Sequence, residues 1–189
     1  MNGTSRNLRI LRLDASGRLI RTDSALGMIA DNALRSPSRV ALRLGDTDVT
    51  YGDLWSASSS LRTLIESSAT DPARPVALSI NKHDARLFAA MIAVLRCGRF
   101  FVVLDRTYPE ARNRLVLEDA DPSLLLSDEG PDELPSMEDL LYAAPVGEEL
   151  EPEPDPDTIA CLVYTSGSTG RPKGVMIPRG CLAQIAHIQ

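Results

Sequence analysis

Hydrophobic residues follow two alternating patterns along this chain. In some segments they recur three and four residues apart, as in an amphipathic helix, and in others they form short continuous runs, which suit buried strands. The helical pattern covers residues 26–34, 54–65, 87–95 and 111–120, and begins again at 181–188. The short runs cover residues 40–44, 49–51, 76–80, 100–104, 123–126, 159–164 and 175–177. This alternation predicts an α/β fold with a layered, mostly parallel sheet flanked by helices.

Polar residues mark where the first two helices begin. Ser24 stands where an N-cap is expected, and Thr50 with Asp53 resembles a capping box. We therefore predict an N-terminal extension over residues 1–23 and a single partial domain over residues 24–189.

Acidic residues are concentrated in one segment. Residues 128–157 hold 12 of the 26 acidic residues, six of the 13 prolines and none of the 20 basic residues. This composition predicts a solvated, Pro-rich connection, with a short helical turn near residues 137–142. The rest of the chain has 20 basic and 14 acidic residues, and its net charge of +6 would attract an anionic small molecule.

Length and composition argue against several classes of protein. A chain of 189 residues suits one domain. No apolar run approaches the ~20 residues of a membrane helix, and the N-terminus lacks a secretory signal, so we predict a cytoplasmic protein. Scattered arginines without a basic or aromatic stripe argue against nucleic acid as a partner. Cys97, Cys161 and Cys181 are too widely spaced for a disulfide framework or a zinc site, and no metal site is predicted.

Residues 165–174 have a composition unlike that of any other segment. They place four hydroxyls, three glycines and two cations directly after an apolar strand. Glycines let backbone N–H groups approach an anion, hydroxyls donate to phosphate oxygens, and a lysine adds a mobile positive charge. The segment therefore indicates polyphosphate binding, although a flexible Gly/Ser surface turn has a similar composition. A Walker-type loop fits less well, because Lys173 is followed by Gly174 instead of Ser or Thr.

The sequence around this loop resembles a known family. Residues 160–174, from Ala-Cys-Leu-Val-Tyr to Pro-Lys-Gly, are similar to the signature phosphate loop of the AMP-forming acyl and aminoacyl activating superfamily. Residues 94–105, continued by Tyr108-Pro109, resemble the second core motif of nonribosomal peptide synthetase adenylation domains, and residues 50–54 resemble the first. The chain departs from the family's usual residues at Arg96-Cys97, Val103 and Pro178-Arg179.

The resemblance implies a set of nucleotide-binding residues. The phosphates of ATP would be held by the hydroxyls, glycines and lysine of the loop, namely Thr165, Ser166, Gly167, Ser168, Thr169, Gly170, Lys173 and Gly174. Lys173 would also be the catalytic residue, and Mg²⁺ would arrive with ATP. The other polar candidates have ordinary interpretations: His83 and His187 lack partners at metal or triad spacing, and Glu118-Asp119 suit a solvated helix face.

The resemblance also implies a reaction. The full-length parent would activate an amino or carboxylic acid with ATP, giving an acyl adenylate and pyrophosphate, and would pass the acyl group to the thiol of a phosphopantetheine carrier domain or of coenzyme A. The family's acid pocket and remaining catalytic segments lie downstream of the loop, so we expect the chain to be the N-terminal part of an adenylation domain, inactive alone. The alternatives are a non-catalytic interaction module derived from the same fold and, more distantly, a P-loop kinase or NTPase.

Overall fold

The computed structural model describes residues 11–13, 19–21, 24–144, 155–166 and 171–186. The helices in these ranges are α1 (Ala25–Arg35), α2 (Tyr51–Ser68), α3 (Ala85–Arg96), α4 (Glu110–Ala120), α5 (Met137–Tyr142) and α6 (Arg179–Ala186). The strands are β1 (Leu11–Leu13), β2 (Leu19–Arg21), β3 (Val40–Leu44), β4 (Thr47–Thr50), β5 (Val76–Ser79), β6 (Phe101–Val103), β7 (Leu124–Ser127), β8 (Ile159–Ser166) and β9 (Pro172–Pro178). Every helix and strand predicted from the hydrophobic pattern is present, whereas the β1–β2 pair was not predicted.

The main sheet has five strands in the order β7-β5-β6-β8-β9. The first four strands are parallel to one another, and β9 is antiparallel to β8. Strands β1 with β2, and β3 with β4, form two separate antiparallel pairs. This arrangement confirms the predicted α/β fold with a mostly parallel sheet.

Helices cover both faces of the central strands. Alternate residues of a strand point to opposite faces, and Val76 and Leu78 of β5 belong to the large core that α2 and α3 complete. Ala77 between them belongs to a smaller core with Val102 and with Val116 of α4. Burial on both faces explains why β5 is continuously apolar in sequence.

The two predicted helix caps are formed. Ser24 Oγ accepts a hydrogen bond from the backbone N–H of Gly27 at 2.9 Å. Thr50 Oγ1 accepts from the backbone N–H of Asp53 at 3.1 Å, and the Asp53 carboxylate accepts from the backbone N–H of Thr50 at 3.0 Å, which completes a capping box. These local bonds fix the start of α1 and α2.

The acidic connection is partly attached to the core. The predicted helical turn is α5, and Leu134 and Leu140 are 4% and 3% exposed. Ser60 Oγ of α2 donates to the backbone carbonyl of Leu140 at 2.7 Å. Apolar residues at wide intervals thus hold this segment against α2, while residues 145–154 lie outside the described ranges.

Candidate functional site

The candidate phosphate loop joins the two strands of a β-hairpin. Strands β8 and β9 pair with Thr165 opposite Lys173 and with Ser166 opposite Pro172. Both strands continue further than their apolar runs predicted, so Thr165, Ser166 and Lys173 belong to strands at the base of the loop. The remaining predicted loop residues, Gly167, Ser168, Thr169 and Gly170, lie outside the described residues.

The hairpin ends at the edge of the sheet where α/β proteins bind ligands. Strand β8 is parallel to β6, and β6 is parallel to β5, so the carboxyl ends of these strands share one edge. Ligands of open α/β sheets bind in crevices outside this edge. The side chains of Thr165, Ser166 and Lys173 are exposed there, so two hydroxyls and one ammonium group are accessible to an anion.

Tyr164 and Gly174 are packed against each other within the hairpin. They are partners in the β8–β9 register. A Cβ atom added to Gly174 would lie 3.1 Å from Cζ and 3.3 Å from the hydroxyl oxygen of Tyr164. Glycine at this position is therefore explained by close contact with the tyrosine ring, whatever further part its backbone plays in binding an anion.

Tyr164 also connects the hairpin to α4. Its hydroxyl donates to the Oδ2 atom of Asp119 at 2.6 Å. Burial, followed by the hydrogen bond to Asp119 and the negative charge of that carboxylate, raises the pKa of Tyr164 well above its ordinary value. Glu118 and Asp119 are exposed, as predicted for a solvated helix face, but the sequence pattern gave no signal of the bond to Tyr164.

One cavity lies beside the hairpin, and a second lies at the carboxyl ends of β5 and β6. One, of about 220 Å³, lies between α4 and the start of β9 and is lined by Leu115, Glu118, Asp119, Arg171 and Pro172. The other, of about 400 Å³, lies beyond β5 and β6 and is lined by residues 80–83 and 103–107. Sequence analysis missed both. The larger cavity lies between neighbouring strands whose crossover helices pack on opposite faces, which is where ligand crevices form in this class of sheet.

Several charged groups near the larger cavity form ion pairs. Arg106 contacts the Asp128 carboxylate at 2.7 Å and the Glu129 carboxylate at 2.5 Å. Arg86 pairs with Asp84 at 2.7 Å. Burial raises the pKa of Asp84, but hydrogen bonds from Arg86 outweigh this effect, so the pKa is lower than usual. The pairs made by Arg106 connect the loop after β6 to the loop after β7, whereas the Arg86–Asp84 pair lies within the start of α3.

Other potential sites are simpler. The described residues contain no group of three or more histidine, cysteine, aspartate or glutamate side chains that could hold a metal ion. Cys97, Cys161 and Cys181 are free, and burial raises the pKa of the Cys161 thiol. In the described ranges, no helix has the length and hydropathy needed to cross a bilayer.

Known proteins resemble most of this chain. A family model described as AMP-binding enzyme matches residues 29–188. A dimodular nonribosomal peptide synthase of Bacillus subtilis is 32% identical over 170 residues, which cover 82% of this chain and 7% of that protein. The N-terminal subdomain of Klebsiella oxytoca NpsA in complex with 3-hydroxyanthranilyl-AMSN matches with a TM-score of 0.68 and 26% identity, over 82% of this chain and 40% of that one.

An artificially fused adenylation–PCP di-domain from the same Klebsiella species, NpsA-ThdA, matches with a TM-score of 0.70 and 26% identity, over 86% of this chain and 34% of that one. The chain thus spans less than a tenth of the length of the Bacillus synthase and less than half of each of the two solved chains.

Proposed function

Because this chain belongs to the AMP-binding enzyme family, we propose that its β8–β9 hairpin binds the β- and γ-phosphates of ATP. The chain corresponds to the N-terminal part of an adenylation domain of the nonribosomal peptide synthetase type. The whole protein activates an amino or carboxylic acid. A carboxylate oxygen of the acid attacks the α-phosphorus of ATP, the bond to pyrophosphate breaks, and an acyl adenylate forms.

The observation that carries this proposal is the geometry of the hairpin base. Thr165 and Lys173 face each other across the two strands, with exposed side chains, at the carboxyl edge of the sheet. Hydroxyl and ammonium donors converging on one place suit a polyphosphate, because charged hydrogen bonds are stronger than neutral ones. In the proposed reaction, Thr165 and Ser166 donate to phosphate oxygens, as do the hydroxyls and backbone N–H groups of the loop.

Lys173 is the catalytic residue in this proposal. Its ammonium group stabilises the negative charge that accumulates on pyrophosphate as the bond to the α-phosphorus breaks, and stabilisation of this kind is the main contribution of phosphoryl-transfer sites. Mg²⁺ would accompany ATP as part of the substrate and would add positive charge against the polyphosphate.

The acyl group is then transferred to a thiol. Similarity to the adenylation–PCP di-domain supports a phosphopantetheine carrier as acceptor, with coenzyme A as the alternative. Carrier-dependent activation with ATP takes place where ATP is abundant, so we assign the protein to the cytoplasm.

Nucleotide affinity of the full-length protein tests the site. We expect the double variant Thr165→Val, Lys173→Ala to bind MgATP at least about tenfold more weakly, because a hydrogen bond to a charged group contributes about 1.5–3 kcal/mol. Matched controls are Thr47→Val, an exposed strand threonine, and Arg114→Ala, an exposed cation on α4. Calorimetric titration with MgATP measures the affinities, and unchanged affinity in the double variant would overturn the phosphate-binding assignment.

A further inference from the structure

Tyr164 links three elements at the base of the candidate loop. It directly precedes Thr165 on β8, and because strand residues alternate, the two side chains point to opposite faces of the sheet. On its own face, Tyr164 packs against the smaller core, to which Val116 of α4 belongs, and its hydroxyl donates to Asp119 of α4 at 2.6 Å. One side chain therefore fixes the last residues of β8 relative to a helix.

The same ring lies on the second strand of the hairpin. Gly174 is its partner in the register, and a Cβ atom there would lie 3.1 Å from the ring, so the tyrosine would have to shift slightly to accept one. Gly174 is the residue directly after Lys173, so the ring supports the backbone that carries the candidate catalytic lysine. A shift of the tyrosine would move the strand ends on both sides of the loop.

The contacts of Tyr164 attach the hairpin at its loop end, and Arg179 attaches the opposite end. At the far end of β9, the buried Arg179 donates to the backbone carbonyls of Leu95 and Arg99 at 3.0 and 2.9 Å. Tyr164 supplies the corresponding attachment near the loop, where neighbouring side chains such as Val163 and Val175 are about half exposed. The loop end of the hairpin thus depends on a small contact area and a directional hydrogen bond.

We propose that Tyr164 and Asp119 are positioning residues for the hairpin base, holding Thr165 and Lys173 where they meet the β- and γ-phosphates of ATP. This inference rests on the proposed function of the hairpin. The pKa of Tyr164, raised by burial and by Asp119, is consistent with a protonated hydroxyl that donates to the carboxylate at neutral pH.

Steady-state kinetics of the full-length protein test the proposal, with pyrophosphate release as the signal. Tyr164→Phe keeps the ring on Gly174 and removes only the hydroxyl. We expect it to raise KM for ATP about three- to tenfold, the range that one hydrogen bond supports, while KM for the acid stays the same. We expect Asp119→Ala to raise KM for ATP by the same factor. The double variant Tyr164→Phe, Asp119→Ala should have a KM for ATP no higher than that of either single variant. Asp119→Asn keeps an acceptor oxygen and should have a KM for ATP close to that of the unchanged protein. Tyr142→Phe is the control, since Tyr142 is 94% exposed.

The outcomes separate this inference from the proposed function. If Lys173→Ala weakens ATP binding but Tyr164→Phe changes only the midpoint of thermal unfolding, the tyrosine is merely structural and the inference is wrong. Equal increases in KM for ATP and for the acid also contradict it, because a positioning role is confined to the phosphates. If Lys173→Ala leaves ATP binding intact, the hairpin is not the phosphate site and both proposals fail.

Discussion

The α2–α3 core and the β8–β9 hairpin contain similar apolar residues in very different surroundings. Leu61 and Ile65 of α2 and Val94 of α3 are fully buried, whereas Val175 and Met176 of β9 are 45% and 65% exposed. Apolar spacing predicted secondary structure in both regions, although β8 and β9 are longer than their apolar runs. Apolar sequence therefore indicates that an element forms a packed face, but not that its packing partner lies within the same 189 residues.

The largest expected effect breaks the core side of this comparison. Leu61→Ala removes a fully buried side chain between α2 and its neighbours, and we expect it to lower the free energy of unfolding by about 2–5 kcal/mol. The matched control, Leu34→Ala on α1, removes a leucine that is 54% exposed and should cost less than about 1 kcal/mol. Urea unfolding of both variants measures the difference, and similar losses would show that burial in α2 is less complete than the structure indicates.

The parts of the fold that could be predicted depend on local signals. Ser24, Thr50 and Asp53 act within their own helices, and the uninterrupted apolar run of β5 reports burial on both faces. The β1–β2 pair was not predicted. The full length of β9 could not be predicted either, because Pro172 and Lys173 have the composition of a loop and are in a strand only through their pairing with β8. Pairing across the hairpin decides their structure.

Buried polar contacts were also beyond the reach of sequence analysis. Arg96 was recognised only as a departure from the family pattern. In the structure it is 6% exposed, lies 4.0 Å over the ring of Trp55 and donates to the hydroxyls of Ser58 and Ser59. Two adjacent serines on one helix are usually solvent-facing, so only the packing of α3 against α2 identifies them as partners of a buried guanidinium.

The candidate site divides in the same way. Composition identified the loop, its hydroxyls and Lys173, because phosphate-binding groups are recognisable without a fold. The contribution of Tyr164 and Asp119 was hidden, because 45 residues separate them in sequence and neither is unusual in its local pattern.

A second, smaller effect tests whether the hairpin is a separately stabilised region. Arg179, the first residue of α6 and the residue directly after β9, is 5% exposed and donates to the carbonyls of Leu95 in α3 and Arg99 just after it. We expect Arg179→Ala to lower the free energy of unfolding by about 1–3 kcal/mol, since the carbonyls of Leu95 and Arg99 each lose a charged donor, although Leu95 still accepts from the backbone N–H of Gly98. Hydrogen exchange should locate the loss in β9, with β5 amides changing less. Equal acceleration in the two strands would mean that hairpin and core unfold as one unit.

The smallest expected effect concerns the exposed face of the hairpin. Val175→Thr keeps a β-branched side chain on β9, so the strand preference is retained and the free energy of unfolding should change by no more than about 0.5 kcal/mol. The same substitution at Val102, which is 1% exposed, places a hydroxyl in the core and should cost about 1–3 kcal/mol. Urea unfolding compares the two variants under identical conditions.

A loss above about 1 kcal/mol from Val175→Thr would show that this valine already packs against part of the 189 residues, and the contrast between hairpin and core would then be one of degree. A negligible loss in the free energy of unfolding would mean that Val175 packs against little within these residues. Its exposed side chain could then pack against further segments of a longer protein, such as those of the relatives.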